Sequence, residues 1–96
     1  MIQQKVLKER AILVGVMLND RETHNLDEHL DELEMLASTA GAIVVGRVVQ
    51  RLIKINPSTF IGTGKANQLI KQATELDVEI IIFDQELSPA QVKNYH

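Results

Sequence analysis

Apolar positions along this chain form continuous runs that alternate with stretches of helical spacing. Residues 11–17 and 80–83 are continuous apolar runs, which are typical of strands buried on both faces of a sheet. Residues 43–55 form a third run, but polar side chains interrupt it, as in a strand at a sheet edge. Between the runs, apolar residues recur every three or four positions, which predicts two amphipathic helices. The two stripes are Leu26, Leu30, Leu33, Ala37 and Ala40, and then Ala66, Leu69, Ile70, Ala73 and Leu76.

This order of elements, βαβαβ, predicts an α/β fold. Strands that alternate with helices form a parallel sheet with right-handed crossovers. The two fully apolar strands are expected to lie side by side, and the mixed strand is expected at an edge. The fold class is therefore α/β, with a small parallel three-stranded sheet in the order 2-1-3 and helices on both faces.

A third helix is predicted to begin just after residue 88. Ser88 is a good N-cap, Pro89 suits the first helical position, and Gln91 completes a capping box. The chain ends at His96, roughly 12 Å into that helix at 1.5 Å per residue. A helix this short is marginal unless it packs on something, and little is expected to hold it. We interpret residues 1–96 as one domain and a piece of a longer protein, truncated before a fourth strand.

The outer edge of the third strand is expected to be open in this chain. Residues 80–83 are apolar on both faces, and the fourth strand that would pair with them is absent from the sequence. Open apolar edges tend to find partners. Self-association of the chain is therefore expected, through this edge or through residues around Leu87, Ala90 and Val92.

Composition narrows the classes of protein to which the chain can belong. The 96 residues are 45% apolar with three aromatics, and the formal net charge is -3. Neither half is basic enough to indicate nucleic-acid binding by charge alone. There is no cysteine, no apolar run long enough to span a bilayer and no signal peptide at the start, so a cytoplasmic protein is expected. No metal site is predicted, because the possible metal ligands of the first helix spread around its polar face; these are Asp27, Glu28, His29, Asp31, Glu32 and Glu34.

The best candidate binding site is the segment Gly62, Thr63, Gly64 and Lys65, which opens the second helix. Glycines let the backbone approach a ligand closely, and unpaired N–H groups at a helix start attract anions. These residues could therefore contact a phosphate of ribosomal RNA through backbone N–H groups and one ammonium. The alternative is a tight strand-to-helix turn with a solvated lysine.

The nucleotide-binding motifs do not fit this segment. A Walker loop would need glycine at Thr59 and a serine or threonine at Ala66. A dinucleotide fingerprint would need a third glycine at Asn67. The chain by itself is therefore expected to be neither a GTPase nor a dinucleotide-binding protein, and no catalytic residue is predicted.

Two further features have both a functional and a structural interpretation. Arg47, Arg51 and Lys54 could form a secondary basic strip on the edge strand, or they could protect that edge against strand pairing. Asp84 ends the third strand, where open α/β sheets bind ligands. A phosphoacceptor role is not favoured for Asp84, because no acidic cluster follows the first strand.

The chain resembles the N-terminal domain of HflX-type GTPases. The resemblance rests on residues 60–65, on Leu69, on residues 82–91 and on Asn94, and its most specific part is the Leu-Ser-Pro-Ala-Gln segment at 87–91. The first strand and residues 33–37 also look like that family. The resemblance covers nearly the whole chain.

The resemblance implies a function for the longer protein. HflX proteins are ribosome-associated GTPases that bind the large ribosomal subunit and split or rescue stalled ribosomes. Their N-terminal α/β domain is followed by a helical hairpin and a G domain, and both are absent here. The resemblance thus implies ribosomal RNA and the protein's own G domain as partners, with GTP and Mg²⁺ as cofactors of the full-length protein. A free-standing α/β module that binds a nucleotide or another phosphorylated ligand stays open as the alternative.

Overall fold

The computed structural model describes residues 9–18, 26–52 and 54–95, which form one sheet with helices on both sides. The strands are β1 (Glu9–Leu18), β2 (Ala42–Leu52) and β3 (Ile80–Phe83). The helices are α1 (Leu26–Thr39), α2 (Thr63–Glu75) and α3 (Pro89–Lys93). All strand pairs are parallel and the order is β2-β1-β3, so the predicted α/β fold and strand order are confirmed.

Alternate side chains of β1 pack on opposite helices, because successive residues of a strand point to opposite faces. Ile12, Val14 and Val16 are buried in the cluster that contains the α2 residues Ala66, Leu69 and Ala73. The intervening β1 residues Leu13 and Gly15 face the other way, where Leu30 of α1 is buried. The fully apolar run therefore reflects a central strand with a helix on each face.

Gly15 sets the distance between α1 and the sheet. A Cβ atom built at Gly15 would lie 3.0 Å from Cδ1 of Leu30 and 3.3 Å from Cδ1 of Leu26. Any larger residue would therefore require the side chains of Leu30 and Leu26 to shift. The helix ends at Thr39, and Gly41 follows it with a positive φ of 97°, a conformation that favours glycine after a helix end.

The edge strand β2 is shorter than the sequence pattern predicts. The apolar run extends to Ile55, but β2 ends at Leu52 and the chain bends at Lys54. The bend leads into a bridge between Asn56 and Phe60, which takes this segment out of the sheet. An extra residue, Val45, also interrupts the register between β1 and β2. The prediction for the carboxyl end of β2 was therefore wrong, and Lys54 lies beyond the strand.

No helix among the described ranges is long and apolar enough to cross a membrane.

Candidate functional site

The loop that precedes α2 is closed by its own backbone. Asn56 and Phe60 exchange two N–H···O bonds of 2.9 Å, which draws the ends of a five-residue segment together. Inside it, Oδ1 of Asn56 accepts the N–H of Ser58 at 2.8 Å and that of Thr59 at 3.1 Å. Such asparagine side chains replace backbone partners in tight turns. The loop is therefore a compact unit that fixes where the chain enters α2.

Gly62 occupies the N-cap position of α2 with a positive φ of 92°. L-residues with a Cβ rarely adopt this conformation, so the turn requires glycine. No side chain caps the helix, and the next three residues, Thr63, Gly64 and Lys65, form its exposed first turn. The structure therefore brings all four predicted site residues to one helix start. Gly64 does not share the structural role of Gly62, because it lies within the helix with open space around it.

A shallow cleft of about 280 Å³ lies beside this helix start. Its walls are formed by Lys54, Asn56, Pro57 and Gly62, together with the apolar side chains of Ile55 and Ile61. None of these residues is acidic. Lys54 and the N-cap of α2 thus both line the cleft, and a cation together with the positive end of a helix dipole suits an anion.

Helix α3 is anchored on this loop by three side chains, although the sequence predicted that little would hold it. Nε2 of Gln91 donates to the carbonyl of Asn56 at 2.8 Å, and Nδ2 of Asn94 donates to that of Ser58 at 2.9 Å. The hydroxyl of Tyr95 donates to the carbonyl of Thr59. That expectation was wrong because a short helix can be held by polar tertiary contacts that no local pattern reveals.

The predicted start of α3 is confirmed in detail. The Ser88 hydroxyl accepts the N–H of Gln91 at 3.2 Å, and the Gln91 side chain accepts the N–H of Ser88 at 2.8 Å. Because Gln91 also reaches Asn56, one buried side chain closes the capping box and ties α3 to the loop.

Three aromatic rings connect the loop, the sheet and α3. Phe83 of β3 packs edge-on against Phe60 at 6.0 Å and against Tyr95 at 5.2 Å between ring centroids. Burial raises the pKa of the Tyr95 phenol to about 12. The loop before α2 is therefore backed by a packed surface as well as by hydrogen bonds.

The predicted basic strip is divided by ion pairing. Nη2 of Arg47 lies 2.6 Å from Asp31 and 3.0 Å from Glu34, both on α1. Hydrogen bonding to Asp31, and then to Glu34, raises the pKa of the Arg47 guanidinium. Two carboxylates thus neutralise this cation, while Arg51 and Lys54 are exposed. Among the residues that the structure describes, no group of three acidic or histidine side chains could hold a metal ion.

Asp84 extends the contact between β1 and β3 beyond the last residue of β3. Its N–H donates to the carbonyl of Val14 at 2.9 Å, and its Oδ1 accepts the N–H of Val16 at 3.1 Å. Nε2 of Gln85 donates to the carbonyl of Val16 at 3.4 Å. Loss of water around the Asp84 carboxyl raises its pKa, although the bond from Val16 opposes this shift. These contacts give Asp84 a structural role that the sequence did not suggest.

Comparison with known proteins points to one family. A model of the protein family described as GTP-binding GTPase N-terminal matches residues 27–96. The chain is 44% identical over 94 residues to the GTPase HflX of Lacrimispora saccharolytica, a match that covers 98% of this chain and 22% of the relative. It is 43% identical over 86 residues to the GTPase HflX of Flavobacterium psychrophilum, covering 90% of this chain and 21% of the relative.

A more distant relative is also matched over most of this chain and over a small part of its own length. The GTPase HflX of Escherichia coli is 32% identical over 87 residues, which covers 90% of this chain and 20% of the relative. The chain thus spans about a fifth of the length of the curated relatives that it matches.

Proposed function

The chain belongs to the GTP-binding GTPase N-terminal family, as the N-terminal domain of HflX proteins, and from this premise we propose that it is a ribosome-binding and regulatory domain of a longer GTPase. The proposal is supported by the family match across residues 27–96 and by relatives more than four times as long as this chain. The longer protein would bind the large ribosomal subunit in the cytoplasm and split or rescue stalled ribosomes.

GTP and Mg²⁺ would be held in a separate G domain of that longer protein. Within this chain, the segment nearest to a Walker loop lacks the leading glycine at Thr59 and the hydroxyl at Ala66. This domain would therefore take part in subunit binding and in control of the G domain, with GTP hydrolysis carried out elsewhere.

The contact with ribosomal RNA would be made at the start of α2. This assignment rests on one observation about the start of α2. The helix begins at a glycine of positive φ, no side chain caps it, and Lys65 is exposed in the first turn of the helix. Unpaired N–H groups at such a helix start can bind a phosphate oxygen, and the Lys65 ammonium adds a charge contact. Gly62, Thr63, Gly64 and Lys65 would together hold one phosphate.

A secondary contact would follow from the basic residues near the end of β2. Lys54 lines the cleft beside Gly62, which places a second cation close to the proposed phosphate site. Arg51 is exposed at the edge of the sheet. Arg47 would contribute least to RNA binding, because Asp31 and Glu34 already neutralise it.

The proposal is tested by comparing the 96-residue chain with a protein extended to the length of its relatives. Calorimetry is expected to show GTP binding by the extended protein and none at micromolar concentrations by the short chain. Co-sedimentation with purified large ribosomal subunits is expected to show binding of the extended protein. A nucleotide bound by the short chain, with no binding of either protein to the subunit, would instead favour the free-standing phosphoryl-ligand module.

A further inference from the structure

Phe60 has a backbone conformation that residues of its size rarely adopt. Its φ is 71°, in the left-handed region, and the N–H of Ile61 donates across it to the carbonyl of Thr59 at 2.8 Å. A positive φ with a hydrogen bond of this span describes a γ-turn of the rarer, strained kind. A bulky side chain in such a turn persists only where the surrounding structure holds it. Because Gly62 follows two residues later, this turn sets the direction in which the chain enters α2.

Two carbonyls close the loop before α2, and each accepts a second hydrogen bond from the α3 side. The carbonyl of Thr59, which closes the γ-turn, also accepts the hydroxyl of Tyr95. The carbonyl of Asn56 accepts the N–H of Phe60 at 2.9 Å and also Nε2 of Gln91 at 2.8 Å. A carbonyl oxygen has two lone pairs, so each of these oxygens has a donor for both. The same two atoms therefore keep the loop closed and hold α3 against it.

The ring of Phe60 adds an apolar contact to these hydrogen bonds. Phe60 is 3% exposed and packs edge-on against Phe83, which packs in turn against Tyr95. Tyr95 thus acts on the strained turn in two ways, through its hydroxyl on Thr59 and through its ring on Phe83. The contacts that offset the strain at Phe60 therefore come in part from residues 91–95.

We propose that Gln91 and Tyr95 are positioning residues for the RNA contact, a role that rests on the proposed function of the α2 start. By holding the turn at Phe60 in its strained form, they orient the first turn of α2 toward the phosphate. When α3 leaves the loop, the turn relaxes, the chain enters α2 in another direction and Lys65 loses its place beside the phosphate. Coupling between two sites is reciprocal, so RNA bound at α2 also stabilises the docked α3.

Tyr95→Phe tests the link between α3 and the turn, because it removes one donor and keeps the ring that packs on Phe83. In the protein extended to the length of its relatives, hydrogen exchange is expected to become faster in residues 56–62 and to stay unchanged in α1. Gln91→Glu is expected to give the same local change. Glutamate still accepts the N–H of Ser88 in the capping box, but it cannot donate to the carbonyl of Asn56.

Thr74→Val is the matched control for the loss of a hydroxyl. The Thr74 hydroxyl donates to the carbonyl of Ile70 at 2.9 Å within α2 and makes no contact with the loop. Residues 56–62 of this variant are expected to exchange hydrogen as in the parent.

Affinity for purified large ribosomal subunits separates a positioning role from a purely structural one. Tyr95→Phe is expected to weaken binding by about three- to tenfold, the range for loss of one hydrogen bond, whereas Thr74→Val binds like the parent. The double variant of Tyr95→Phe and Lys65→Ala is expected to bind within about twofold of Lys65→Ala alone, because both changes act on the same contact. A general loss of stability would instead make the two effects multiply.

Unchanged exchange of residues 56–62 in both Tyr95→Phe and Gln91→Glu would overturn the proposal. Multiplying effects of Tyr95→Phe and Lys65→Ala would also overturn it. So would a Tyr95→Phe variant that binds like the parent while Lys65→Ala binds more weakly, a result that leaves the proposed function intact. Binding that does not respond to Lys65→Ala would instead refute the phosphate contact itself, and the positioning roles with it.

Discussion

Gln91 and Asn56, which lie 35 residues apart in the chain, are joined by a 2.8 Å hydrogen bond from the Gln91 side chain to the Asn56 carbonyl. The same Gln91 side chain accepts the N–H of Ser88 and closes the capping box of α3. Gln91 is 6% exposed, so water has little access to its side chain and competes weakly for these two hydrogen bonds. This one side chain therefore holds the last helix against the loop that leads into the proposed phosphate site.

Replacing Gln91 by alanine is expected to destabilise the protein by about 1–3 kcal/mol, because it leaves two part-buried backbone hydrogen-bonding groups, the Ser88 N–H and the Asn56 carbonyl, with fewer partners. The free energy of unfolding, measured by urea denaturation, checks this value. Gln68→Ala on the exposed face of α2 is the control and is expected to change stability by less than about 0.5 kcal/mol. Equal stability of the two variants would mean that α3 is not held through Gln91.

The two glycines of the proposed site are expected to respond oppositely to alanine. Gly62→Ala forces a side chain into a positive φ of 92° and is expected to cost about 1–2 kcal/mol, although no atom lies within 4 Å of the added carbon. Gly64→Ala lies in open space within α2 and is expected to leave stability equal or raise it by up to about 1 kcal/mol. Thermal unfolding of both variants is the measurement. A Gly62→Ala variant that melts like the parent would contradict the interpretation of the turn.

Most of the fold could be predicted from the sequence, because it depends on local patterns. The apolar runs located β1 and β3, and Ser88 with Gln91 located the start of α3. The end of β2 at Leu52 could not be predicted, because the run continues to Ile55 and the strand is ended by a bridge within the following loop. The roles of Gly15 and Asp84 were missed for a related reason. Each depends on a residue from a different element, and no spacing along the chain records that contact.

The sequence predicted that Gly62 and Lys65 lie at a helix start, which the structure shows, but it did not predict what surrounds them. The sequence showed Gly62 and Lys65, and it gave no sign of the three side chains, one in α3 and two directly after it, that hold the preceding loop. The sequence pattern also predicted that Arg47 belongs to a basic strip. The carboxylates that neutralise Arg47 lie on α1, 13 and 16 residues away in the chain.

Asp84 is expected to make the protein more stable as the pH falls. Burial raises the pKa of its carboxyl above the ordinary 3.8, so the folded state binds the proton more tightly than the unfolded state does. The contribution of Asp84 is therefore fully present below pH 3.8 and is lost as the pH rises through the folded-state pKa. Asp84→Asn keeps an acceptor for Val16 and removes the charge, so this variant is expected to be at least as stable as the parent at pH 7.

Urea denaturation of the parent and Asp84→Asn between pH 3 and 7 measures this difference. The advantage of the variant is expected to shrink as the pH falls. Asp84→Ala loses the acceptor and is expected to be destabilised by about 1–3 kcal/mol at pH 7. Glu86→Gln, at an exposed position two residues away, is the control for the change in charge. A constant difference between parent and Asp84→Asn at every pH would refute the burial of this carboxyl.

Tyr95 is expected to ionise near pH 12 in the folded protein. Burial raises the pKa of its phenol to about 12, compared with an ordinary value of about 10. Because this is the single tyrosine and there is no tryptophan, ultraviolet absorbance follows its ionisation without interference. Below pH 10 the stabilising effect of the neutral phenol is complete, and it is lost as the pH rises from 10 to 12. An absorbance midpoint near pH 10 in the folded protein would contradict the packing of Tyr95 on the loop.

The most direct test of the proposed function is the affinity of the extended protein for large ribosomal subunits, measured at several salt concentrations. If Lys65 contacts a phosphate, Lys65→Glu is expected to weaken binding, most strongly at low salt, and to reduce the slope of log affinity against log salt by about one. Lys71→Glu makes the same charge change on the same helix, two turns from its start, and is expected to bind like the parent. Identical affinities and salt slopes for the parent, Lys65→Glu and Lys71→Glu would contradict a phosphate site at the start of α2.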